Sequence, residues 1–198
     1  MCGRFEVNPE RLEIKRMLNR QPKLPGMELV KTGEIRPSDV AAVLVILNGK
    51  VHPKPMSWGF PKWDGKGVIF NARSETAIHK AMFRRALLKN PIVVPTTGFY
   101  EWKAVPGKKK KEKYKFNVPG RNMVYLAGFY NTFKDEGAPL PERFTILTMD
   151  ADEDVSPYHS RMPVVLDTKE VEGWIKGWHQ IGAILRRKPV RLGAALVE

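Results

Sequence analysis

The chain has 198 residues, a formal net charge of +13 and 42% hydrophobic residues. This length and composition fit one domain, or two small ones at most, with a real hydrophobic core, and they exclude a disordered tail. No apolar run approaches the roughly 18 residues of a membrane-spanning helix, and no secretory signal is visible, so a cytoplasmic protein is expected. The excess of positive charge favours nucleic acid as the partner, with an anionic membrane surface as the alternative.

The N-terminal third is predicted to contain a short helix and a β-hairpin. Residues 9–18 have an uneven apolar face and predict the helix, which Asn8 can cap. Residues 40–47 form the longest apolar stretch and are strand-forming. Asn48-Gly49 follows directly and is the strongest hairpin signal in the chain, so the return strand is expected from residue 51 onward.

The central part is predicted to hold a second helix, over residues 75–89, with Ser74 as a cap and Asn90-Pro91 as the stop. Residues 106–113 contain five lysines and predict a solvated hairpin loop that could also contact phosphate. Further strands are predicted at 68–70, 92–94, 99–104, 114–118, 123–132, 144–149 and 164–166.

The C-terminal part predicts a helix over residues 167–178, capped by Thr168, and a basic edge strand or tail over 186–191. The whole pattern has many short strands, two or three helices and no regular βαβ alternation. It therefore predicts an α+β domain with a curved, largely antiparallel sheet.

Cys2 is the only cysteine, which excludes an internal disulfide framework and a cysteine-rich zinc module. If Met1 is removed, Cys2 carries a thiol and an α-amine on adjacent carbons. Their reference pKa values are about 8.5 and about 7.7–8.0, so both groups are partly deprotonated near neutral pH. An aldehyde can form an imine with the amine, and the thiol can close this imine to a five-membered thiazolidine. The structural alternative is an incidental cysteine near the end of the chain.

Four further segments concentrate polar residues beside glycine, proline or aromatic residues, outside any amphipathic pattern. They are WGFPKW at 58–63, NARSET at 71–76, GFYEW at 98–102 and HSRMPV at 159–164. Each alone has a structural explanation, such as a turn asparagine or a loop histidine. The four histidines have no metal-ligand spacing, so no metal is expected. No glycine-rich phosphate loop follows a strand, so no nucleotide or other cofactor is expected.

Together with MCGRF at 1–5, these segments resemble the SRAP family, the SOS-response-associated peptidase-like proteins. The five motifs occur in the family's order over residues 1–166. The resemblance implies one compact domain over residues 1–198, with a β-barrel-like core and a few flanking helices, in which 167–198 form a C-terminal helix and basic tail. It also implies a positively charged cleft for single-stranded DNA. Family members capture the aldehyde of abasic sites as a thiazolidine, and the family was named for a proposed peptidase activity.

The resemblance also implies roles for individual residues. Cys2 matches the family nucleophile, and Asn71 matches the asparagine that holds the reacting centre. Glu101 matches the catalytic carboxylate, and His159 matches the histidine that assists opening of the sugar ring and reversal of the crosslink. The expected DNA-binding residues are Arg4, Trp58, Trp63, Arg73, Arg84 and Arg161. The resemblance implies that an aromatic residue of the WGFPKW segment packs near the lesion or its flanking bases, and it leaves open which of the two tryptophans does so.

The chemistry of these residue types agrees with the roles. A carboxylate near the α-amine can transfer the protons of imine formation, and desolvation beside aromatic residues raises its pKa toward working pH. A histidine, with a reference pKa near 6.5, can protonate the ring oxygen of the sugar. Arginine binds phosphate in bidentate fashion, and aromatic rings stack on unpaired bases of any sequence.

Three functions remain open at this stage. The first is a DNA-damage-response enzyme that crosslinks to abasic sites in single-stranded DNA through Cys2, acts as a monomer and has at most a minor lyase activity. The second is a cysteine hydrolase with self-processing before Cys2, in which His159 is the base. The third is a non-enzymatic module that binds single-stranded DNA.

Overall fold

The computed structural model describes residues 2–20, 22–134, 138–177 and 181–197. The strands are β1 (Phe5–Val7), β2 (Gly33–Ile35), β3 (Val40–Leu47), β4 (Lys50–Trp58), β5 (Phe60–Pro61), β6 (Val68–Ile69), β7 (Asn71–Arg73), β8 (Pro91–Thr96), β9 (Gly98–Lys103), β10 (Glu112–Asn117), β11 (Val124–Thr132), β12 (Glu142–Asp150), β13 (Arg161–Pro163), β14 (Val165–Leu166) and β15 (Gly193–Val197). The α-helices are α1 (Leu12–Leu18), α2 (Ser74–Ala77), α3 (Ala81–Lys89), α4 (Val171–Lys176) and α5 (Ile181–Arg186). Single 3-10 turns cover Met27–Leu29 and Thr168–Glu170.

Five strands close into a barrel. Strand β3 pairs with β4 and β8, strand β11 pairs with β8 and β12, and β12 returns to β4. The β12–β4 pairing is parallel, as is the pairing of β7 on β12, whereas the other pairings of this sheet are antiparallel. The predicted α+β class and the largely antiparallel, curved core are confirmed.

A second antiparallel sheet packs against the barrel, in the order β15-β10-β9-β1-β2. Strand β1 lies between β2 and β9, with Phe5 opposite both Ile35 and Phe99. This pairing brings the N-terminal MCGRF segment directly beside the GFYEW segment, although about a hundred residues separate them in the chain.

Two apolar clusters hold these layers together. One fills the barrel and its junction with the second sheet, and Trp58 is at its centre, stacked on Phe144 and packed against Phe5. The other lies between the barrel and the helices, where Phe83 of α3 and Trp174 of α4 are buried. Within the described part of the chain, none of the helices has the length and apolarity needed to cross a bilayer.

The predicted hairpin is confirmed. Strands β3 and β4 pair along their whole length, from Leu47 opposite Lys50 to Val40 opposite Ser57. Asn48 and Gly49 have φ values of 49° and 74°, the left-handed pair that a two-residue type I′ turn requires. The other predicted strands are also present, with ends within two residues of the predicted ones.

The prediction of one helix over 75–89 is wrong, because the chain forms α2 and α3 with an extended Lys80 between them. A continuous helix could not bury both Ala77 and Ala86, since nine residues at 100° per residue place these two on opposite faces. The break lets both segments turn their apolar side to the barrel, and it leaves Ser74 inside α2 instead of capping it.

Helix ends elsewhere also differ from the predictions. Helix α1 begins at Leu12, because the side chain of Asn8 accepts from the backbone N–H of Glu10 and forms a turn instead of a helix cap. In the C-terminal part, Asp167 and not Thr168 is the cap, in a capping box with Glu170. Residue 178 of the predicted C-terminal helix lies outside the described residues. Residues 186–191 do not form the edge strand, which is β15, and helix α5 was not predicted.

Candidate active site

Cys2 lies at the bottom of the site, just before β1. Its side chain is fully buried, and Sγ donates a hydrogen bond to the backbone carbonyl of Arg4 at 3.6 Å. Asn71, at the start of β7, donates from Nδ2 to the backbone carbonyl of Cys2 at 2.8 Å. The Oδ1 atom of Asn71 is buried and has no hydrogen-bond partner among the described residues. The amide therefore fixes the Cys2 backbone and keeps one acceptor available.

Glu101 is the buried carboxyl group of the site. Its side chain is 2% exposed, and β9 turns Phe99 and Glu101 toward the core while Tyr100 and Trp102 face the other way. Burial raises the pKa of Glu101 to about 7, although the positive amino terminus opposes this shift. Both protonation states are therefore populated near neutral pH. Burial, and then the charge of Glu101, raise the pKa of the Cys2 thiol.

Gly98 explains why the GFYEW segment begins with glycine. Its φ is 155°, and a Cβ at this position would lie 2.7 Å from the backbone carbonyl oxygen of Phe116 on β10. The absence of a side chain allows β9 to start close against β10, and this start fixes the register that places Glu101 opposite Tyr114.

His159 completes the group from the turn between β12 and β13. Its Nδ1 lies 2.9 Å from the backbone nitrogen of Arg161 and 3.1 Å from the carbonyl oxygen of the same residue, so the Arg161 backbone holds the ring. Burial lowers the pKa of His159, and the positive amino terminus lowers it further. Among the site groups, Glu101 and Cys2 interact directly, because the charge of Glu101 acts on the Cys2 thiol.

The four predicted arginines occupy different environments. Arg4 forms an ion pair with Glu34 and lies over the ring of Trp102, with Cζ 5.8 Å from the centroid. The side chains of Arg73 and Arg84 are exposed at the start of α2 and on α3. These three could meet a phosphate without loss of core packing.

Arg161 is held by the protein itself. Its guanidinium binds both carboxylate oxygens of Glu75, at 2.9 and 3.0 Å, and it also binds Asp150 and the carbonyl oxygen of Thr148. The side chain is 12% exposed. These contacts tie the HSRMPV segment to the NARSET segment and thereby position His159 relative to Asn71. A contact of Arg161 with DNA stays a prediction.

The two tryptophans of the WGFPKW segment differ completely in their exposure to solvent. Trp58 is 0% exposed and donates from Nε1 to the carbonyl of Phe70 at 2.9 Å, whereas Trp63 is 95% exposed. A ring without exposed surface cannot stack on a base, so the assignment of Trp58 to DNA binding is wrong in this structure. Trp58 is a core residue, and Trp63 is the ring available to a ligand.

Two residues that contact the site segments, Glu75 and Tyr158, were not predicted as site residues. Glu75 lies inside the NARSET motif, and it forms an ion pair with Arg161 of the HSRMPV motif. The presence of a carboxylate in one motif and of an arginine in the other was the available signal for this pair. Tyr158 packs edge-on against Tyr114, with ring centroids 4.5 Å apart, and immediately precedes His159. A single tyrosine beside a motif gives no comparable signal. Over the described ranges, no three histidine, cysteine, aspartate or glutamate side chains converge as metal ligands.

Known proteins share both the sequence pattern and the fold. The chain is 31% identical over 183 residues to abasic site processing protein YoqW of Bacillus subtilis, covering 88% of this chain and 80% of the relative. It is 27% identical over 180 residues to abasic site processing protein YedK of Escherichia coli, covering 89% and 80% of the two chains. A crystal structure of a protein from Bacteroides thetaiotaomicron has the same fold, with a TM-score of 0.81 and 21% identity over 100% of this chain and 92% of that one. The family model described as "SOS response associated peptidase (SRAP)" matches residues 1–191, and the chain belongs to this family.

Proposed function

We propose that this protein processes abasic sites in DNA by binding single-stranded DNA and forming a covalent thiazolidine with the lesion through Cys2, after removal of Met1. The observation that carries the proposal is the convergence of Cys2, Asn71 and Glu101 in one buried site. The names of the relatives, as abasic site processing proteins, support the same substrate.

The reaction needs an aminothiol and two proton transfers. The α-amine of Cys2 adds to the C1′ aldehyde of the ring-opened sugar, and the resulting carbinolamine loses water to give an imine. Sγ then adds to the imine carbon, its proton passes to nitrogen, and the products are a thiazolidine and one water. The acid form of Glu101 protonates the departing hydroxyl, and its carboxylate form accepts the proton of the amine or thiol. A pKa of about 7 supplies both forms.

Asn71 orients Cys2 for the reaction, and His159 assists the opening of the sugar ring that precedes it. Asn71 holds the Cys2 carbonyl, so the thiol and amine keep a fixed orientation, and its buried Oδ1 can accept from the new amine or from a sugar hydroxyl. The lowered pKa of His159 makes it a neutral base near pH 7 that becomes an acid after taking a proton. It can therefore deliver a proton to the ring oxygen when the closed sugar opens.

The electrostatics of Cys2 disfavour the cysteine-hydrolase alternative. A hydrolase nucleophile needs a stabilised thiolate, which requires a lowered thiol pKa. Burial and the neighbouring Glu101 raise the pKa of Cys2 instead. A neutral thiol that is deprotonated only as it adds to an imine agrees with thiazolidine closure.

Trp63 is expected to contribute to binding of the DNA flanking the lesion. Stacking of a base on an exposed aromatic ring contributes about 1–3 kcal/mol, so Trp63→Ala should weaken binding of single-stranded DNA by roughly that amount. Fluorescence anisotropy with a labelled oligonucleotide measures the loss. Urea unfolding should show no change in stability, because the ring is 95% exposed.

Trp58→Ala serves as the contrast. Loss of this fully buried ring should lower the free energy of unfolding by about 3–5 kcal/mol. If Trp63→Ala binds DNA as tightly as the wild type, the ring does not take part in binding.

Intact-protein mass spectrometry tests the proposed function directly. Wild-type protein is incubated with a single-stranded oligonucleotide that carries one abasic site, then heated and weighed. The expected product is the protein without Met1 plus the oligonucleotide minus one water. An undamaged oligonucleotide is the control and should give no adduct. If protein that already lacks Met1 gives no adduct, the proposal is contradicted.

A further inference from the structure

The face of strand β9 that carries Glu101 also carries a cation, Lys103, that the reaction above does not use. Side chains alternate along a strand, so Phe99, Glu101 and Lys103 lie on the same face of β9. Phe99 is 0% exposed and Glu101 is 2% exposed, whereas Lys103 is half-buried. This row of side chains therefore runs outward from the core, past the buried carboxyl group, to an ammonium group at the protein surface.

The contacts of Lys103 place it beside the turn that carries His159. Its Nζ lies 5.0 Å from the ring centroid of Tyr158, which directly precedes His159 in the chain. The ring of Tyr158 also packs against Tyr114 of β10, with the centroids 4.5 Å apart. Tyr114 is in turn the cross-strand neighbour of Glu101, on the same face of the sheet. Lys103 therefore borders the candidate active site on the side of Glu101 and the His159 turn.

The charge of Lys103 is not neutralised by an ion pair within the described part of the chain. The residue opposite it on β10 is Glu112, and both oxygens of this carboxylate have other donors. Oε1 pairs with Lys108 at 3.0 Å, and Oε2 accepts a hydrogen bond from the hydroxyl of Tyr114 at 3.1 Å. The contact of Lys103 with the Tyr158 ring orients the ammonium group and leaves its N–H donors for an acceptor on a ligand.

We propose that Lys103 binds the phosphate group next to the abasic sugar and thereby positions the lesion at the reacting residues. The proposal rests on the proposed function, since it places the DNA by reference to the reacting sugar. Two residues along a strand span about 7 Å, which separates Lys103 from Glu101. This spacing suits a nucleotide, because its phosphates are bonded to the same sugar that must reach Glu101. A phosphate contact also carries no base preference, as a protein that binds lesions in any sequence requires.

Fluorescence anisotropy with a labelled single strand that carries a stable abasic analogue measures this contact without the covalent step. Lys103→Gln should weaken binding about fivefold, the factor expected for one partly exposed charge pair. It should also reduce the steepness of log Kobs against log salt concentration by about 0.7. Lys103→Arg keeps the charge and should retain most of the affinity. The matched control is Lys50→Gln, which removes an exposed lysine at the start of β4 and should leave the affinity and the slope unchanged.

Neutral linkages in the DNA test whether the partner of Lys103 is a phosphate next to the lesion. A methylphosphonate replaces the phosphate either on the 5′ side or on the 3′ side of the abasic analogue and removes its charge. For one of these two strands, the wild type should lose about fivefold in affinity, whereas Lys103→Gln should lose nothing further. Equal affinities of Lys103→Gln and the wild type for the unmodified strand would overturn the proposal. Equal losses of the two proteins with each modified strand would also overturn it.

The rate of adduct formation separates this role from a structural one and from the proposed function. At saturating abasic DNA, Lys103→Gln should form the heat-stable adduct at the wild-type rate, because Lys103 binds the phosphate and not the aldehyde. A lower saturating rate with unchanged affinity would assign Lys103 a structural role through Tyr158 and overturn the phosphate contact. If the wild type itself forms no heat-stable adduct, the proposed function fails, while the binding measurements still decide the role of Lys103.

Discussion

Cys2→Ala should form no heat-stable adduct with abasic DNA, whereas the wild type is converted to adduct. The variant loses Sγ but keeps an α-amine once Met1 is removed, so it can still form an imine with the aldehyde. An imine hydrolyses on heating, because no thiol closes it to a thiazolidine. The measurement is the adduct fraction on a denaturing gel after heating, with and without prior borohydride reduction, which converts the imine to a stable amine.

Cys2→Ser sharpens this experiment, since it keeps a group of similar size beside the carbonyl of Arg4. We expect a borohydride-dependent adduct and no heat-stable one, as for alanine. Binding of an undamaged oligonucleotide should match the wild type in both variants, because the predicted DNA contacts are arginine and aromatic side chains and not Cys2. A heat-stable adduct in Cys2→Ala would show that another nucleophile carries the chemistry.

Glu101→Gln is expected to slow adduct formation by about 10²–10⁴-fold, the usual contribution of a positioned general acid–base. The amide keeps the size of the side chain but cannot exchange a proton with the carbinolamine. In the wild type the rate should fall on the alkaline side with an apparent pKa of about 7, because dehydration needs the acid form of Glu101. This alkaline limb should vanish in the variant.

Single-turnover rates between pH 5 and 9 provide the profile. Glu172→Gln, a change of an exposed carboxylate on α4, is the matched control and should keep the wild-type rate and profile. An unchanged alkaline limb in Glu101→Gln would assign the titration to another group.

The same residue predicts how stability depends on pH. The pKa of Glu101 is raised in the folded state, from an ordinary value of 4.5 to about 7, so between these values the native state binds more protons than the unfolded state. Stability attributable to Glu101 is therefore fully present below about pH 4.5 and is lost as the pH rises through about 7. At 1.36 kcal/mol per pKa unit, the loss in the free energy of unfolding is roughly 3 kcal/mol. Urea unfolding of the wild type and of Glu101→Gln measures this loss. The pH dependence of their stabilities should differ only between about pH 4.5 and 7.

The motifs in the sequence were informative because each combines a chemical group with a backbone requirement. Gly98 is needed for the close start of β9, and Glu101 follows three residues later on the buried face. The Asn48-Gly49 turn was predictable for a similar reason, since two left-handed residues in succession suit few other pairs. Local sequence therefore predicted the hairpin and the central strands, whereas the four candidate catalytic residues were predicted from the family resemblance.

Short elements were harder to predict. Strands β1, β7 and β13 have only three residues each, and they carry or adjoin Cys2, Asn71 and His159. Such segments have no periodicity of their own, and it is pairing with β9 or β12 that makes them strands. The break between α2 and α3 has a similar cause, because the barrel surface requires two apolar faces that one helix cannot offer.

The sequence by itself determined the fold class, the family resemblance and the types of residue available for chemistry, because these depend on composition, turn residues and motif order. Only the tertiary structure decided which of the two tryptophans in the WGFPKW segment is exposed, since burial depends on what packs against each ring. It also decided that Arg161 is bound by Glu75, and that the backbone of Arg161 holds the ring of His159. The sequence shows which residues are charged, but the pairing of strands that are distant in the chain decides which charged groups become neighbours.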